Sequence, residues 1–211
     1  MNDTILNLFP MSVMICEEKY KMTNDEKKFI NNLEKEGNYN NKKSVSSYVL
    51  ENKQLKLFKN YLQKKINHYM YNHLKYNENI EFYITQSWIN YNDKDTWHHK
   101  HAHPNSILSG VYYVQGNAPI EFYRASSQFT FDFPCKEFVI ENAGTWWVDI
   151  QPQDLILFSS TLQHSVRKNE KDETRISLAF NTFVKGKIGE EKNLTETDIK
   201  HELKELDIFH I

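Results

Sequence analysis

The chain has 211 residues, of which 39% are hydrophobic, 14% aromatic and 26% charged, with a formal net charge of −2. That length is enough for one well-buried core, and the composition excludes a disordered or fibrous chain. The balanced charge gives no general pull toward nucleic acid or an anionic membrane.

The two cysteines, Cys16 and Cys135, lack C-x-x-C spacing, so neither a zinc ribbon nor a dithiol redox motif is available, and reduced thiols in a cytoplasmic setting are expected. The start has no basic region followed by a continuous apolar run, and no window approaches the roughly 18 apolar residues of a membrane span. Neither secretion nor membrane insertion is expected.

From 6 to 15 the sequence is apolar around Pro10, which suits a short edge strand, because proline cannot donate to a ladder. Thr23-Asn24-Asp25-Glu26 has capping-box spacing, and Phe29, Ile30 and Leu33 follow at helical intervals, with Gly37 as the expected stop. Residues 38–47 are polar and lysine-rich and read as a solvated loop. Between 52 and 76, Leu55, Phe58, Leu62, Ile66, Tyr69 and His73 recur at three- and four-residue steps, as on an amphipathic helix laid on a core. His68 and His73 of that helix are expected on its surface.

After Asn77 the texture changes to short runs rich in β-branched and aromatic residues, at 81–91, 106–114, 119–124, 129–133, 137–140, 145–150, 154–158, 163–167 and 175–184. Nine short strands broken by Gly, Pro, Asn and Asp point to a β-sandwich or barrel rather than to βαβ units. Thr197-Asp198-Ile199-Lys200 with Leu203 and Leu206 suggests a terminal helix over about 195–208, with His201 and His210 exposed. The expected organisation is therefore one domain over 1–211, mainly β, with helical support over about 23–76 and a β core over about 80–184.

Four of the nine histidines fall in His98-His99-Lys100-His101-Ala102-His103, just before the apolar strand 107–114. Imidazole is the commonest ligand for borderline transition metals, and alternate residues of an extended segment share a side, so His101 and His103 can grip one ion together. The third candidate is His164, the only later histidine in the β-rich part. In a jelly roll these three would meet at the mouth of the barrel, where ligands bind. His98 and His99 read as flanking groups. Arg175 opens the strand Arg175-Ile176-Ser177; its two parallel donors fit one end of a dicarboxylate, and Ser177 points to the same side. The plainer reading pairs Arg175 with an acid on a surface strand.

Taken together, His101-x-His103-Pro104-Asn105-Ser106, then Ser109-Gly110-Val111-Tyr112-Tyr113-Val114, then His164-Ser165-Val166, then Arg175-Ile176-Ser177 with Phe180-Asn181, resemble the Fe(II)/2-oxoglutarate-dependent oxygenase family of marine bacteria and their phages, a distant relative of the prolyl hydroxylases. Leu8-Phe9-Pro10 resembles the family's opening, although the specific part runs from about 88 to 181. The resemblance implies a double-stranded β-helix (jelly roll) with flanking helices. It also implies Fe(II) on His101, His103 and His164, and 2-oxoglutarate as a small-molecule co-substrate between the metal and Arg175, assisted by Ser177, Tyr113 and Asn105. Dioxygen would then oxidise an unidentified substrate in the cytoplasm of a bacterial or phage-infected cell, without membrane or nucleic-acid partners and with a homodimer left open.

One departure matters, because the superfamily's H-x-D/E is H-x-H here. Either three neutral imidazoles bind the ion, which makes zinc, nickel or copper more competitive, or only His101 and His164 bind, with a carboxylate such as Glu121 or an open position. Two alternatives stay open beside the oxygenase. One is a cupin-like metal protein that does not use 2-oxoglutarate, although the Glu that follows H-x-H in cupins is missing. The other is a metal-free β-sandwich that binds a ligand; Trp88, Tyr112, Tyr113, Trp146 and Trp147 could serve any of these readings, and most of them are expected in the core.

Overall fold

The protein is seen in a computed structural model that describes residues 3–126 and 133–200. Two antiparallel sheets face each other. The larger holds β1 (Val13–Ile15), β2 (Lys35–Asn38), β3 (Asn41–Ser44), β4 (Glu81–Asn92), β6 (Leu108–Gln115), β9 (Leu155–Ser159) and β11 (Arg175–Ile188) in the order β1-β9-β6-β11-β4-β3-β2, and β12 (Thr197–Ile199) pairs with β11. The smaller holds β5 (His98–His101), β7 (Ile120–Tyr123), β8 (Thr145–Val148) and β10 (His164–Val166) in the order β5-β10-β7-β8. Within the facing sheets β9-β6-β11-β4 and β5-β10-β7, no two neighbours are consecutive in the chain, as the jelly-roll expectation requires.

The central strands of the large sheet are buried on both faces, and their alternation divides two hydrophobic clusters. On β11, Ile176, Leu178 and Phe180 join the cluster beneath the helices, whereas Ala179 belongs to the cluster between the sheets, with Val111, Tyr113, Ile156 and Phe158. The outer cluster is closed by α1 (Asn24–Asn31) and α2 (Lys56–Asn67), through Ile30, Phe58, Leu62 and Ile66, all fully buried. The expected apolar stripe is therefore the buried face of α2. The helix itself is shorter than the 52–76 pattern: two turns of 3-10 helix precede it, and His68–His73 continue as a π-helix in which His68 and His73 are exposed.

The capping box is present in full. Glu26 N–H donates to the Thr23 hydroxyl while the Glu26 carboxylate accepts from Thr23 N–H at 2.7 Å and from the Tyr20 hydroxyl at 2.8 Å. The Thr23 hydroxyl, 3.1 Å from the same carboxylate, is a third donor to buried Glu26, and α1 is fixed at its first turn.

Several expectations differ from the structure. The helix stops at Asn32 rather than Gly37, which lies in β2. Residues 35–44 form the hairpin β2–β3 rather than a loop; β3 lies along β4, and the Ser44 hydroxyl accepts from Ile89 N–H. The apolar start enters a sheet only at 13–15, and Ile5, Leu6, Leu8 and Phe9 are exposed. No strand forms at 137–140, which is irregular up to a turn that begins at Ile140, and most of the strand expected at 129–133 lies outside the described residues. Thr197–Ile199 is a strand on β11 rather than the start of a helix, and 201–211, with His201 and His210, lie outside the described residues. Among the described residues no helix is long and apolar enough to cross a membrane.

Gly110 of β6 lies opposite Phe180 of β11 and Leu157 of β9, and a Cβ at this position would run into both side chains. Both neighbours are fully buried and cannot give way toward solvent. Gly110→Ala should therefore lower stability by about 1–3 kcal/mol, the usual cost of overpacking a dense core. Urea denaturation would check this through a lower midpoint at unchanged slope.

Candidate metal centre and anion pocket

Between the sheets lies a cavity walled by Trp88 and Asn90 of β4, His98 and His101 of β5, His103 just after β5, Val111 and Tyr113 of β6, Ile120 of β7, His164 and Val166 of β10, and Arg175, Ser177 and Ala179 of β11. Two opposed sets of polar groups stand out in it, three imidazoles at one end and a guanidinium at the other.

His101 of β5 and His164 of β10 are cross-strand partners, with ring centroids 4.3 Å apart. His103 leaves the end of β5, where its backbone N–H donates to the Ser160 carbonyl, and its ring lies 5.1 Å from both other rings. One nitrogen from each of the three falls within 4.8 Å of the others.

The tautomers follow from the partners of the other nitrogens. His101 Nδ1 donates to the His99 carbonyl at 2.8 Å, His164 Nδ1 to the Leu162 carbonyl at 3.0 Å, and His103 Nδ1 to Asn181 Oδ1 at 2.5 Å, with the Ser109 hydroxyl 3.0 Å away. With Nδ1 protonated in each ring, all three Nε2 atoms carry lone pairs. His101 Nε2 and His103 Nε2 are 3.2 Å apart, and two lone pairs at that distance repel unless a cation or proton lies between them. The oriented rings, each held by an oxygen acceptor, fit the donor set of a transition-metal ion.

Electrostatics agree with this. Burial pushes His164 and His98 down to about 3 and His101 to about 4, with neighbouring rings adding to the effect, and burial also lowers His103 against the opposing pull of Asn181. The rings stay neutral, the form that binds a metal.

At the other end, Arg175 is 2% exposed, so the surface pairing with an acid is not what the structure contains. Its Nη1 donates to the Arg167 carbonyl at 3.3 Å, and Nη2 is buried without a partner. Burial also opposes its charge. Two more buried polar atoms of the same wall have no partner: the Tyr113 hydroxyl, which burial pushes up and so keeps protonated, and Asn90 Oδ1. A desolvated guanidinium nitrogen beside an unpartnered hydroxyl is a site built for an anion. Ser177, two residues after Arg175, shares that face.

Asn105 does not belong to this group, since it is exposed in the turn after Pro104 with φ 56° and lies outside the wall. Glu121 lies outside the wall as well: its carboxylate accepts from Arg167 at 2.7 Å and from the Ser165 hydroxyl at 3.3 Å. No pattern in the sequence announces Asn90, or the way His98 enters the cavity. His101 pairs with His164 and His98 with Val166, so β5 advances three residues where β10 advances two. This bulge turns both His98 and His101 inward, although three residues apart on a regular strand they would face opposite ways.

A cavity between two antiparallel sheets with an inward three-nitrogen donor set and a buried cation is suited to hold a metal ion and an anion together. Residues 86–181 match the family model described as "Putative 2OG-Fe(II) oxygenase", a span that contains every residue of the cavity wall. Over this stretch, a little under half of the chain, the sequence is similar to that family.

Solved structures show the same fold. An oxidoreductase of the 2OG-Fe(II) oxygenase family from Burkholderia pseudomallei is 13% identical with a TM-score of 0.54, over 74% of each chain. HygX from Streptomyces hygroscopicus, with nickel, 2-oxoglutarate and hygromycin B bound, is 9% identical with a TM-score of 0.55 over 82% of each chain. The epimerase SnoN of nogalamycin biosynthesis is 11% identical with a TM-score of 0.53, over 75% of this chain and 70% of its own. No curated protein matches the chain in sequence.

The buried histidines make stability pH-dependent. Above about 6.5 they are neutral in both folded and unfolded chains. Below it the unfolded chain takes up protons while the folded one resists until about pH 3 to 4, so stability is fully present above 6.5 and is lost progressively as pH falls toward the folded values. Melting temperatures measured with chelator present should therefore drop steeply between pH 6.5 and 4, and the slope should be shallower in His98→Phe.

Proposed function

We propose that the protein is a non-haem Fe(II)- and 2-oxoglutarate-dependent oxygenase that hydroxylates a substrate yet to be identified. Iron would be held by Nε2 of His101, His103 and His164, and the far carboxylate of 2-oxoglutarate by Arg175, with the Tyr113 and Ser177 hydroxyls beside it. The observation that carries this reading is Arg175 Nη2, buried and unpartnered in the wall that also presents the three imidazoles. A cupin-like reaction without 2-oxoglutarate, or a metal-free sandwich, leaves that guanidinium without a purpose.

When bound, the iron supplies dioxygen activation, coupling oxidative decarboxylation of 2-oxoglutarate to oxidation of a C–H bond. The chain's share is placement. The carbonyls of His99 and Leu162 and the amide of Asn181 fix the imidazole rings, so each donor atom is aimed before the metal arrives. Arg175 supplies two parallel donors in a fixed plane, and the apolar wall of Trp88, Val111, Ile120 and Ala179 excludes water from the reacting atoms. The cavity measures ≈ 20 Å³, room for about one water, so a five-carbon dicarboxylate enters by displacing wall side chains.

Helices and β-helix share the large sheet through the two clusters on its faces, and we propose that they act as one domain. Both described cysteines are free, which supports a reducing, cytoplasmic setting.

Two measurements test the assignment. His101→Ala and His164→Ala should lose stoichiometric Fe(II) in anaerobic metal analysis, whereas Glu121→Gln should retain it; the reverse pattern would give the ligand role to the carboxylate. Arg175→Lys should bind 2-oxoglutarate roughly ten- to a hundredfold more weakly, about 1.5–3 kcal/mol, because a point charge cannot replace a bidentate fork. Its metal content should not change. Absence of 2-oxoglutarate binding to the wild-type Fe(II) protein would sink the oxygenase reading.

A further inference from the structure

The cavity wall contains no carboxylate. Glu121 and Asp154, which lie on or beside strands that line it, are both engaged elsewhere, Glu121 with Arg167 and Asp154 with Lys19. Even the group that orients His103 is an amide: Asn181 accepts the Nδ1 hydrogen, a bond that an aspartate would make equally well. The site is thus built from uncharged donors around one permanent cation, Arg175.

The charges can be added up. A divalent ion on three neutral imidazoles, together with Arg175, amounts to three positive charges, and 2-oxoglutarate brings two negative ones. A ligand set with one carboxylate would close this sum to zero, whereas the set in this chain leaves one positive charge in a buried cavity whose other lining side chains are uncharged. An uncompensated charge in such surroundings is strongly unfavourable, and a group that neutralises it gains accordingly.

We propose that the primary substrate of this site carries an anionic group, which enters beside the metal and supplies the missing negative charge. The inference rests on the oxygenase reading above and names the class of substrate for it. The wall is suited to receive such a group. The bulge in β5 brings the His98 ring to the cavity, its nitrogens have no hydrogen-bond partner among the described residues, and a neutral imidazole N–H can donate to an anion without adding charge. A neutral molecule of the same shape forgoes the attraction, so the acid-free wall discriminates between substrates by charge.

The test uses anaerobic protein loaded with Fe(II) and saturating 2-oxoglutarate, titrated calorimetrically with sodium azide as a minimal monoanion. Three proteins are compared: wild type, His103→Asp, which converts a neutral ligand into a carboxylate, and Asn181→Asp, which adds the charge behind His103 and leaves all three imidazoles in place. Azide should bind wild type at least ~10-fold more tightly than either variant, since a unit charge a few ångströms away is worth that much in a protein-like dielectric. Should His103→Asp fail to load iron, Asn181→Asp carries the comparison. Equal azide affinity in wild type and an iron-replete variant, with 2-oxoglutarate bound in both, would overturn the inference and leave the oxygenase reading standing. A wild-type protein that takes up iron but no 2-oxoglutarate overturns the oxygenase reading itself, and this inference with it.

Discussion

Three hydrogen bonds to oxygen acceptors govern this site. The carbonyls of His99 and Leu162 and the side chain of Asn181 each take an Nδ1 hydrogen, and so each ring turns its Nε2 lone pair into the space between the sheets. Nothing else in the cavity could hold three desolvated rings so close together, because their lone pairs repel and burial opposes protonation. The sheets supply the rest. β5 and β10 place His101 and His164 opposite each other, while β6 and β11 place Ser109 and Asn181 opposite each other, within reach of His103. The site therefore depends on the register of two strand pairs.

The helices matter to this chemistry only through the large sheet. Phe58, Leu62 and Ile66 of α2 press on the face that carries Leu178 and Phe180, and the opposite face of the same strand carries Arg175, Ser177 and Ala179. Burial of one set of side chains thus fixes the pleat that aims the other set. This explains how a guanidinium can be kept 2% exposed without an acid beside it. The desolvation cost of that charge falls on the fold as a whole, a known pattern where a binding site is built at the expense of stability.

What was legible in the sequence is what a short-range period or a rare residue type announces. The stripe on α2 repeats every three or four residues, the β-rich region begins where β-branched and aromatic runs begin, and H-x-H with His164 and Arg175 stands out because imidazole and guanidinium are costly to bury without a purpose. The illegible parts depend on partners distant in sequence. β3 is polar because its buried positions, Asn41 and Ser44, meet polar neighbours rather than a hydrophobic core, so its composition reads as loop. Thr197-Asp198-Ile199 has the residues of a helix start, but the long strand β11 offers an edge at Gly186–Ile188 and pairing there prevails. The motif position of Asn105 points to the site, whereas its left-handed backbone in an exposed turn takes it outside the wall.

The bulge in β5 shows why the same sequence pattern admits more than one site. Read as a regular strand, His99 and His101 share a side with His103, and His98 belongs with Lys100 on the other. One extra residue opposite β10 changes this division: Lys100 reaches outward to lie 4.2 Å over the Tyr123 ring, while His98 stacks on His101 inside, with centroids 4.5 Å apart. Bulges concentrate next to active sites because they re-aim a side chain without altering the sheet around it. Here the bulge brings a fourth imidazole into a cavity that contains no acid, and the polar lining it completes is uncharged except at Arg175. The character of the pocket is therefore set by strand register as much as by composition, and its preference for negative charge follows from both.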